Sequence, residues 1–231
     1  MEIGSKKWEQ LIIDGARDVN IHVDRHQARQ LGIHALELLK WNRKINLTAI
    51  TDPKEVAIKH CLDSIIPGHM IAPDATLLDI GSGGGFPGIP LKIMKPSLSV
   101  TLIDASRKKV SFLKHMIRTL KFEKVEARHV RAEDFAKERE VRSSFDVVIS
   151  RALTSIENLV ILAAPLLTRG GTIIALKGPE LHKETETVCS QVDQNTGVVE
   201  IADIRFYLNL KTYSLPHLGS QRAIISLRIY S

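Results

Sequence analysis

A cluster of glycines that follows one acidic residue is the part of this sequence best suited to hold a small charged ligand. The stretch from Leu77 to Gly88 reads LLDIGSGGGFPG, so that apolar residues flank Asp79 and the apolar run ends at Gly81. Glycine has no Cβ, and the backbone around it can approach a ligand closely. A helix that begins after such a turn directs its amides and its dipole at the same place. The pattern predicts a buried strand, a ligand-binding turn and a helix that begins near Pro87.

Two cofactors fit this glycine pattern. The spacing G-x-G-x-x-G is satisfied by Gly83, Gly85 and Gly88. Asp104 ends the next predicted strand, at the place where an acid can bind a ribose hydroxyl, and this much fits NAD as well as S-adenosylmethionine (SAM). Asp79 favours SAM, because a carboxylate before the first glycine repels a pyrophosphate, whereas SAM carries an ammonium and a sulfonium and no phosphate. The alternative for Asp79 is a structural role as a helix cap or turn acid.

Further polar residues follow the later strands. Ala132 and Glu133 come after the third predicted strand, where a carboxylate or a backbone amide could meet an adenine ring. Arg151 follows the fourth strand and Lys177 the fifth. A buried arginine is costly unless it pairs with an anion. For Arg151, a bound carboxylate or phosphate and a structural ion pair with a residue such as Asp63 both stay open, and the same ambiguity applies to Lys177.

These residues require a parallel sheet that brings the carboxyl ends of several strands to one edge. From Thr76 onward, apolar runs of strand length alternate with helical patterns, which is typical of an α/β fold with helices on both faces of a mostly parallel sheet. The clearest helix runs from Ser106 to Leu120 and has one apolar face. We predict parallel strands at Thr76 to Ile80, Val100 to Asp104, Val125 to Val130, Phe145 to Ser150 and Thr172 to Leu176.

The two ends of the chain differ from this central pattern. After the fifth strand we predict a polar helix from about Pro179 to Gln194, and then two strands that form an antiparallel pair at the sheet edge. These two strands are Val198 to Asn209 and Arg222 to Tyr230. Residues 1–70 are predicted to be a helical extension, and residues 71–231 a SAM-binding domain.

The helical extension contains two recognisable helix patterns. Asp24 and Gln27 have capping-box spacing, and apolar residues then recur at helical spacing as far as Trp41. A shorter helix is expected from about Pro53 to Ser64, and it carries polar residues as well as apolar ones.

Composition limits the classes of protein and partner. The sequence has no run of about 18 apolar residues, so we expect no membrane span, and its N-terminus lacks the apolar centre of a signal peptide, so we expect a cytoplasmic protein. Cys61 and Cys189 belong to no C-x-x-C pair, and we expect neither a disulfide framework nor a metal site. The formal net charge of +6 favours a polyanionic partner without proving one.

Several motifs together resemble one family. In chain order they are WNRKINLTAI, HCLDS, LLDIGSGGGFPGIPLKI, LIDASRKKVSFL, RAEDF, FDVVISRA and ALKGP. Over the range from Asp24 to Gly178 they resemble the small-subunit rRNA methyltransferase family RsmG, also called glucose-inhibited division protein B. The resemblance implies a Rossmann-like class I SAM-dependent methyltransferase that acts on N7 of one guanine of 16S rRNA, near the decoding site. It places SAM contacts at Gly81, Phe86, Ala132, Glu133 and Arg151, with Asp104 at the ribose.

Such a reaction needs few chemical groups from the protein. Guanine N7 carries a lone pair and no proton, so we expect no general base, and catalysis can rest on positioning and on the exclusion of water. We expect a monomer that binds 16S rRNA or the small ribosomal subunit. Methylation of another RNA or a small molecule, and a non-catalytic role in ribosome assembly or nucleic-acid binding, are the alternatives. Candidate substrate contacts are Asn42, Asn46, His60, Asp63 and Lys177. For the Asn and Asp residues, caps and turns are the structural alternative.

Overall fold

One eight-stranded sheet, in the order β3-β2-β1-β4-β5-β8-β7-β6, forms the centre of the molecule. The computed structural model describes residues 1–151, 155–178, 187–194 and 196–230. The first five strands are parallel, and β8, β7 and β6 continue the sheet in antiparallel pairs. The strands are β1 Thr76–Ile80, β2 Ser99–Asp104, β3 Val125–His129, β4 Phe145–Arg151, β5 Leu167–Lys177, β6 Val198–Ile201, β7 Ile204–Ser214 and β8 Gln221–Ile229.

The position of β1 decides where a ligand can bind. It pairs with β2 on one side and with β4 on the other, because the chain runs outward from β1 to β3 and then returns past β1 to β4. The order of the strands therefore reverses between β1 and β4. In open sheets of this kind, the crevice beyond the carboxyl ends of the strands at such a point is where ligands bind.

Helices cover both faces of the sheet. The α-helices are α1 Lys6–Asp18, α2 Arg25–Asn42, α3 Pro53–Glu55, α4 Asp63–Ile65, α5 Gly88–Met94, α6 Arg107–Thr119, α7 Ala132–Phe135 and α8 Ile156–Ala163. A π-helix, Val56–Leu62, joins α3 to α4, and the short 3₁₀ helices are Ile66–Met70, Arg139–Val141 and Ala164–Leu166. The predicted capping box of α2 is confirmed, since Asp24 accepts from the amide of Gln27 and the Gln27 side chain accepts from the amide of Asp24.

The core lies in two layers, one on each face of the sheet. Successive side chains of a strand point to opposite faces, so that Leu77 belongs to one cluster and Leu78 to the other. Trp8 of α1 and Leu31 of α2 are fully buried in the same cluster as Leu77, whereas Phe135 lies in the second cluster. The N-terminal helices thus share a hydrophobic core with the sheet. A domain boundary at residue 70 stays a prediction.

The fold class is confirmed, and the differences from the predicted elements lie mainly at the C-terminal side. The run from Val198 to Asn209, predicted as one strand, is two strands, because Ala202 and Asp203 both take positive φ and form a tight turn. The fifth strand begins at Leu167, earlier than predicted. The predicted helix at 179–194 falls partly outside the described residues, and 187–190 are helical. Within the described residues, no helix has the length and apolar character that a membrane span requires.

Candidate functional site

The glycine turn after β1 is held by backbone hydrogen bonds to β2. The amides of Gly81 and Ser82 both donate to the carbonyl oxygen of Ile103, at 3.0 Å each. Gly85 has a φ of 84°, and a Cβ there would overlap the Ile89 side chain. Only glycine suits this position, because an L-residue with that φ is strained even before the overlap. The turn is therefore shaped by its sequence to place backbone amides at the carboxyl end of β1.

Asp79 is fully buried beneath this turn. Its Oδ2 accepts from the Gly88 amide at 2.9 Å, which is the helix-capping role left open by the sequence. Its Oδ1 has no hydrogen-bond partner. Burial raises the pKa of Asp79 to about 7, although the Gly88 amide and the positive charge of Arg151 oppose that increase. The carboxyl group thus caps α5 with one oxygen and keeps a second, unsatisfied oxygen that a cationic ligand could use.

Asp104 connects the glycine turn to the end of β2. Its Oδ2 accepts from the amide of Gly83 at 3.0 Å, and its Oδ1 accepts from the amide of Ser106 at 2.7 Å. Each carboxylate oxygen has a further lone pair available. Asp104 can therefore fix the turn and still accept hydrogen bonds from the hydroxyls of a ribose.

A cavity of about 490 Å³ opens beside these residues. It brings together four of the cofactor contacts expected from the sequence, namely Gly81, Asp104, Ala132 and Glu133. Its other lining residues are Ile80, Ile103, Ala105, Val130, Arg131, Asn158, Ile161 and Leu162. The volume and the mixture of apolar and polar groups suit an adenosine-sized ligand. The described residues offer no cluster of three or more His, Cys, Asp or Glu side chains that could hold a metal ion.

The α8 side of this cavity was missed by the sequence reasoning. Asn158, Ile161 and Leu162 line the cavity from α8, and Ile161 is 52% exposed, which is unusual for an isoleucine in this protein. From sequence this region was predicted only to be helical, since no motif marks the residues that face the site. An apolar residue left exposed in a cavity wall is well placed to contact a planar ring.

Phe86 and Arg151 do not line that cavity but lie in a second cluster at the same edge of the sheet. The Arg151 guanidinium lies 5.2 Å from the centre of the Phe86 ring. It donates to the carbonyl oxygen of Lys59 at 3.0 Å and to His60 Nδ1 at 3.2 Å, and it lies 3.9 Å from Asp63 Oδ2. The structural ion pair left open for Arg151 is therefore present.

Asp63 is the anion at the centre of this second cluster. Tyr213 donates its hydroxyl to Asp63 Oδ1 at 2.6 Å, and Arg222 lies 3.8 Å from Oδ2. Burial raises the pKa of Asp63, and the Tyr213 hydrogen bond together with the two arginines opposes the increase. Tyr213 and Arg222 come from β7 and β8, so sequence spacing gave no signal for them.

Phe86 is sandwiched between two buried imidazoles. The ring centres of His34 and His60 lie 4.5 Å and 4.6 Å from that of Phe86. His34 Nε2 lies 2.8 Å from the carbonyl oxygen of Gly84, so this nitrogen carries the proton, and its Nδ1 has no partner. Burial lowers the pKa of His34 to about 4 and that of His60 to about 3. Both rings are neutral near pH 7, and they tie the N-terminal helices to the glycine turn.

The remaining substrate candidates occupy different environments. Asn42 uses its whole amide locally, since Oδ1 accepts from the amides of Leu47 and Thr48 and Nδ2 donates to the Thr48 carbonyl oxygen. Asn46 is exposed in the same loop. Lys177 is buried at the carboxyl end of β5. The cap-and-turn role considered for Asn42 is thus present, whereas His60 and Asp63 lie in the cluster around Arg151.

A family model described as "rRNA small subunit methyltransferase G" (GidB) matches residues 27–202. This chain belongs to that family. The match continues beyond Gly178, where the motif resemblance ends, and includes β6 but stops before β7 begins at Ile204.

Individual relatives agree with the family assignment. "Ribosomal RNA small subunit methyltransferase G" of Geobacter sp. (strain M21) is 41% identical over 94% of this chain and 95% of the relative. The protein of the same name from Oceanobacillus iheyensis is 37% identical over 92% of this chain and 87% of the relative. Among solved structures, a SAM dependent methyltransferase from Aquifex aeolicus has a TM-score of 0.56 at 14% identity and covers 85% of this chain and 98% of that one. At this low identity, the similarity to the Aquifex aeolicus structure shows a shared fold alone.

Proposed function

We propose that this chain transfers the methyl group of SAM to N7 of one guanine in 16S rRNA, as a cytoplasmic monomer. Family membership supports a small-subunit rRNA methyltransferase. The structural observation that carries the choice of cofactor is the buried Asp79, whose Oδ1 has no partner in the protein. A fully desolvated carboxylate oxygen is costly, and a cationic ligand with no phosphate would satisfy it.

The residues present fit SAM. Asp104 is proposed to accept from the ribose hydroxyls, and the backbone and side chains at Ala132 and Glu133 to contact the adenine within the cavity. Gly81, Gly83 and Gly85 keep the turn narrow enough for close approach. Asp79 is proposed to attract the ammonium group, either directly or through water. Phe86 and Arg151 are proposed to form the wall of the cofactor site on the substrate side, because they lie next to the turn and outside the cavity.

The chain has to position groups and need not move a proton. SAM supplies an electrophilic methyl group on a positively charged sulfur. Guanine N7 is already an unprotonated nucleophile, and the two imidazoles stacked on Phe86, those of His34 and His60, have pKa values of about 4 and 3 because they are buried. Burial raises the pKa of the nearby Cys61 thiol to about 12, so that it stays protonated. The residues around the site thus hold reactants in place and exclude water.

The substrate side of the site is proposed to lie around Phe86, at the surface formed by the loop of Asn46 and by the ends of β4 and β5. His60, Asp63 and Lys177 line the inner part of this region, and Asn42 shapes the loop. Arg151 is paired with Asp63, so it presents a partly neutralised charge to the guanine, which gains positive charge on methylation. A free arginine at that place would oppose the reaction electrostatically.

The decisive experiment follows radiolabelled methyl transfer from SAM to small-subunit rRNA, to 30S particles and to tRNA, all from a strain that lacks the enzyme. We expect label at a single guanine of 16S rRNA and a product that migrates as 7-methylguanine. Label in tRNA alone, or at another atom of the base, would contradict the proposal. Isothermal titration with SAM and with NAD separates the cofactors, and binding of NAD without SAM would exclude methyl transfer altogether.

A further inference from the structure

The antiparallel part of the sheet carries a group of tyrosines and arginines that the methyl-transfer site does not use. The rings of Tyr207 and Tyr230 lie 5.1 Å apart. The guanidinium of Arg205 lies 4.7 Å from the centre of the Tyr230 ring, and that of Arg228 lies 5.5 Å from the centre of the Tyr207 ring. We call these four residues the Tyr–Arg patch. Each tyrosine in it is thus paired with one arginine.

The patch lies on one face of the sheet. Tyr207 on β7 stands directly opposite Arg228 on β8, so their side chains share a face, and Arg205 is two residues from Tyr207 and shares it too. Residues that alternate with them, such as Phe206 and Leu227, are buried in the core on the opposite face. The tyrosines therefore do not form part of that core.

The patch is accessible to a partner. Tyr207 is 39% exposed, which makes it one of the few large apolar side chains at the surface, and both arginines are exposed. An arginine that lies over an aromatic ring keeps most of its hydrogen-bond donors in the plane of its guanidinium, directed outward. The patch can therefore offer a ring face and phosphate-binding donors side by side.

The same face leads from the patch towards the methyl-transfer site. Along β7, Asn209, Lys211 and Tyr213 follow Tyr207 at intervals of two residues. Tyr213 donates its hydroxyl to Asp63, in the cluster around Arg151. From Tyr207 to Tyr213 the strand covers about 20 Å. One continuous surface thus connects the patch with the proposed position of the target guanine.

The charge of this surface favours an anionic partner. Exposed cations on it are Arg205, Lys211 and Arg228, while the exposed acids near Arg205 are Glu200 of β6, which lies opposite it, and Asp203 of the β6–β7 turn. The ammonium of Lys211 lies 3.4 Å from His69 Nε2, an imidazole nitrogen and not a carboxylate. Positive charge interleaved with aromatic rings is the combination that binds single-stranded nucleic acid, because phosphates pair with the cations and bases stack on the rings.

We propose that the Tyr–Arg patch binds a single-stranded segment of the substrate RNA outside the nucleotide that is methylated. A base stacks on Tyr207, and the flanking phosphates pair with Arg205, Arg228 and Lys211. The inference rests on the proposed function, since it takes RNA as the substrate. It adds a second contact area about 20 Å from the site, which supplies the stacking that the few aromatic residues near the glycine turn cannot supply.

The test compares Tyr207→Ala with Tyr207→Phe, which keeps the ring. For Tyr207→Ala we expect about a tenfold rise in the Kd for a short fluorescein-labelled single-stranded RNA and in KM for 30S particles. Because the patch is remote from the glycine turn, the Kd for SAM and kcat at saturating substrate should stay unchanged. Tyr207→Phe should bind RNA like the wild type. Thermal melting of each variant checks that its fold is intact.

A second pair of variants tests the charge. Arg228→Ala should reduce the slope of log Kd against log salt concentration for the labelled RNA by about 0.7, the value for one contact to a single strand. Arg142→Ala removes an exposed charge before β4, away from the patch, and should leave the slope unchanged. An equal reduction in both variants would overturn the proposal, because it would indicate a general effect of net charge.

The remaining outcomes separate this inference from the proposed function. Unchanged RNA affinity in both Tyr207→Ala and Arg228→Ala, with methyl transfer to 16S rRNA intact, would overturn the patch alone. Failure of the wild type to bind or methylate any RNA would overturn the function and the patch together. A wild-type dimer in light scattering that becomes a monomer in Tyr207→Ala would assign the patch to self-association and also overturn the proposal.

Discussion

Replacing Asp79 by asparagine should stabilise the protein without SAM at alkaline pH and weaken its binding of SAM. Asp79 is fully buried, and its pKa is raised to about 7 chiefly by that burial. The asparagine oxygen can still accept from the Gly88 amide, as Asp79 Oδ2 does at 2.9 Å. The substitution therefore keeps the cap of α5 and removes the negative charge, while the amide Nδ2 replaces the unpaired Oδ1. The buried N–H groups cost free energy at every pH, so the charge is tested by how the stability difference changes with pH.

The size of the effect follows from the two pKa values. An aspartate titrates near 3.8 when unfolded and at about 7 here, a difference of about three pH units. The native state keeps its proton to higher pH than the unfolded state does, so the wild type loses stability as the pH rises from about 4 to about 7, by about 4 kcal/mol in all. The variant has no such dependence. Its stability relative to the wild type should therefore grow by about 2 kcal/mol between pH 5.5 and pH 8.

Urea unfolding at a series of pH values, with and without SAM, measures both parts of the prediction. SAM affinity, from titration calorimetry at pH 8, should fall by more than tenfold, since the partner of the ammonium is lost. Asp146→Asn is the matched control, because the Thr76 hydrogen bonds lower the pKa of Asp146 and it lies at the opposite end of the sheet. A stability difference that does not change with pH, or an unchanged affinity for SAM, would refute the reasoning and leave Asp79 as a cap alone.

Three further predictions concern the same region. Arg151→Ala should destabilise the protein by about 3 kcal/mol in urea unfolding, because among the described residues it leaves Asp63 paired with Arg222 alone. Adding Asp63→Asn should cost less than the sum of the two changes. Gly85→Ala should destabilise by at least about 1 kcal/mol and raise the Kd for SAM, because of its φ of 84° and the overlap with Ile89; equal affinity would contradict this. The kcat for methyl transfer should not vary between pH 7 and 9, since the buried imidazoles have pKa values of about 4 and 3, and a bell-shaped profile would indicate a base.

Much of the parallel sheet could be predicted because buried parallel strands are nearly continuous apolar runs. Leu77 to Ile80 is such a run, and its end at a glycine marks the turn as well. The part of the site that follows directly from strand ends, Gly81 with Asp104 and Ala132, was predictable for the same reason and meets in one cavity. The carboxyl ends of neighbouring parallel strands must come together, whatever the details of packing.

The features of the fold and the site that could not be predicted depend on contacts between distant parts of the chain. Tyr213 meets Asp63 across 150 positions of sequence, and no local pattern records that pairing. The hairpin turn at Ala202 and Asp203 was missed because alanine rarely takes positive φ, so that Asp203 was the one turn-forming residue of the pair. The position of Phe86 outside the cavity could not be predicted either. The two imidazoles that stack on its ring come from two separate helical segments.

The N-terminal helices bury their apolar residues against the same sheet face that supports the glycine turn, and Trp8 donates its indole N–H to the carbonyl oxygen of Pro53 at 2.8 Å. Removal of these helices would therefore expose the apolar sheet face beneath the glycine turn. Any other segment in this place would have to pack against the same apolar sheet face and supply another hydrogen-bond donor for the Gly84 carbonyl oxygen. Exposed loops and outward-facing strand residues can be substituted without changing this shared interior.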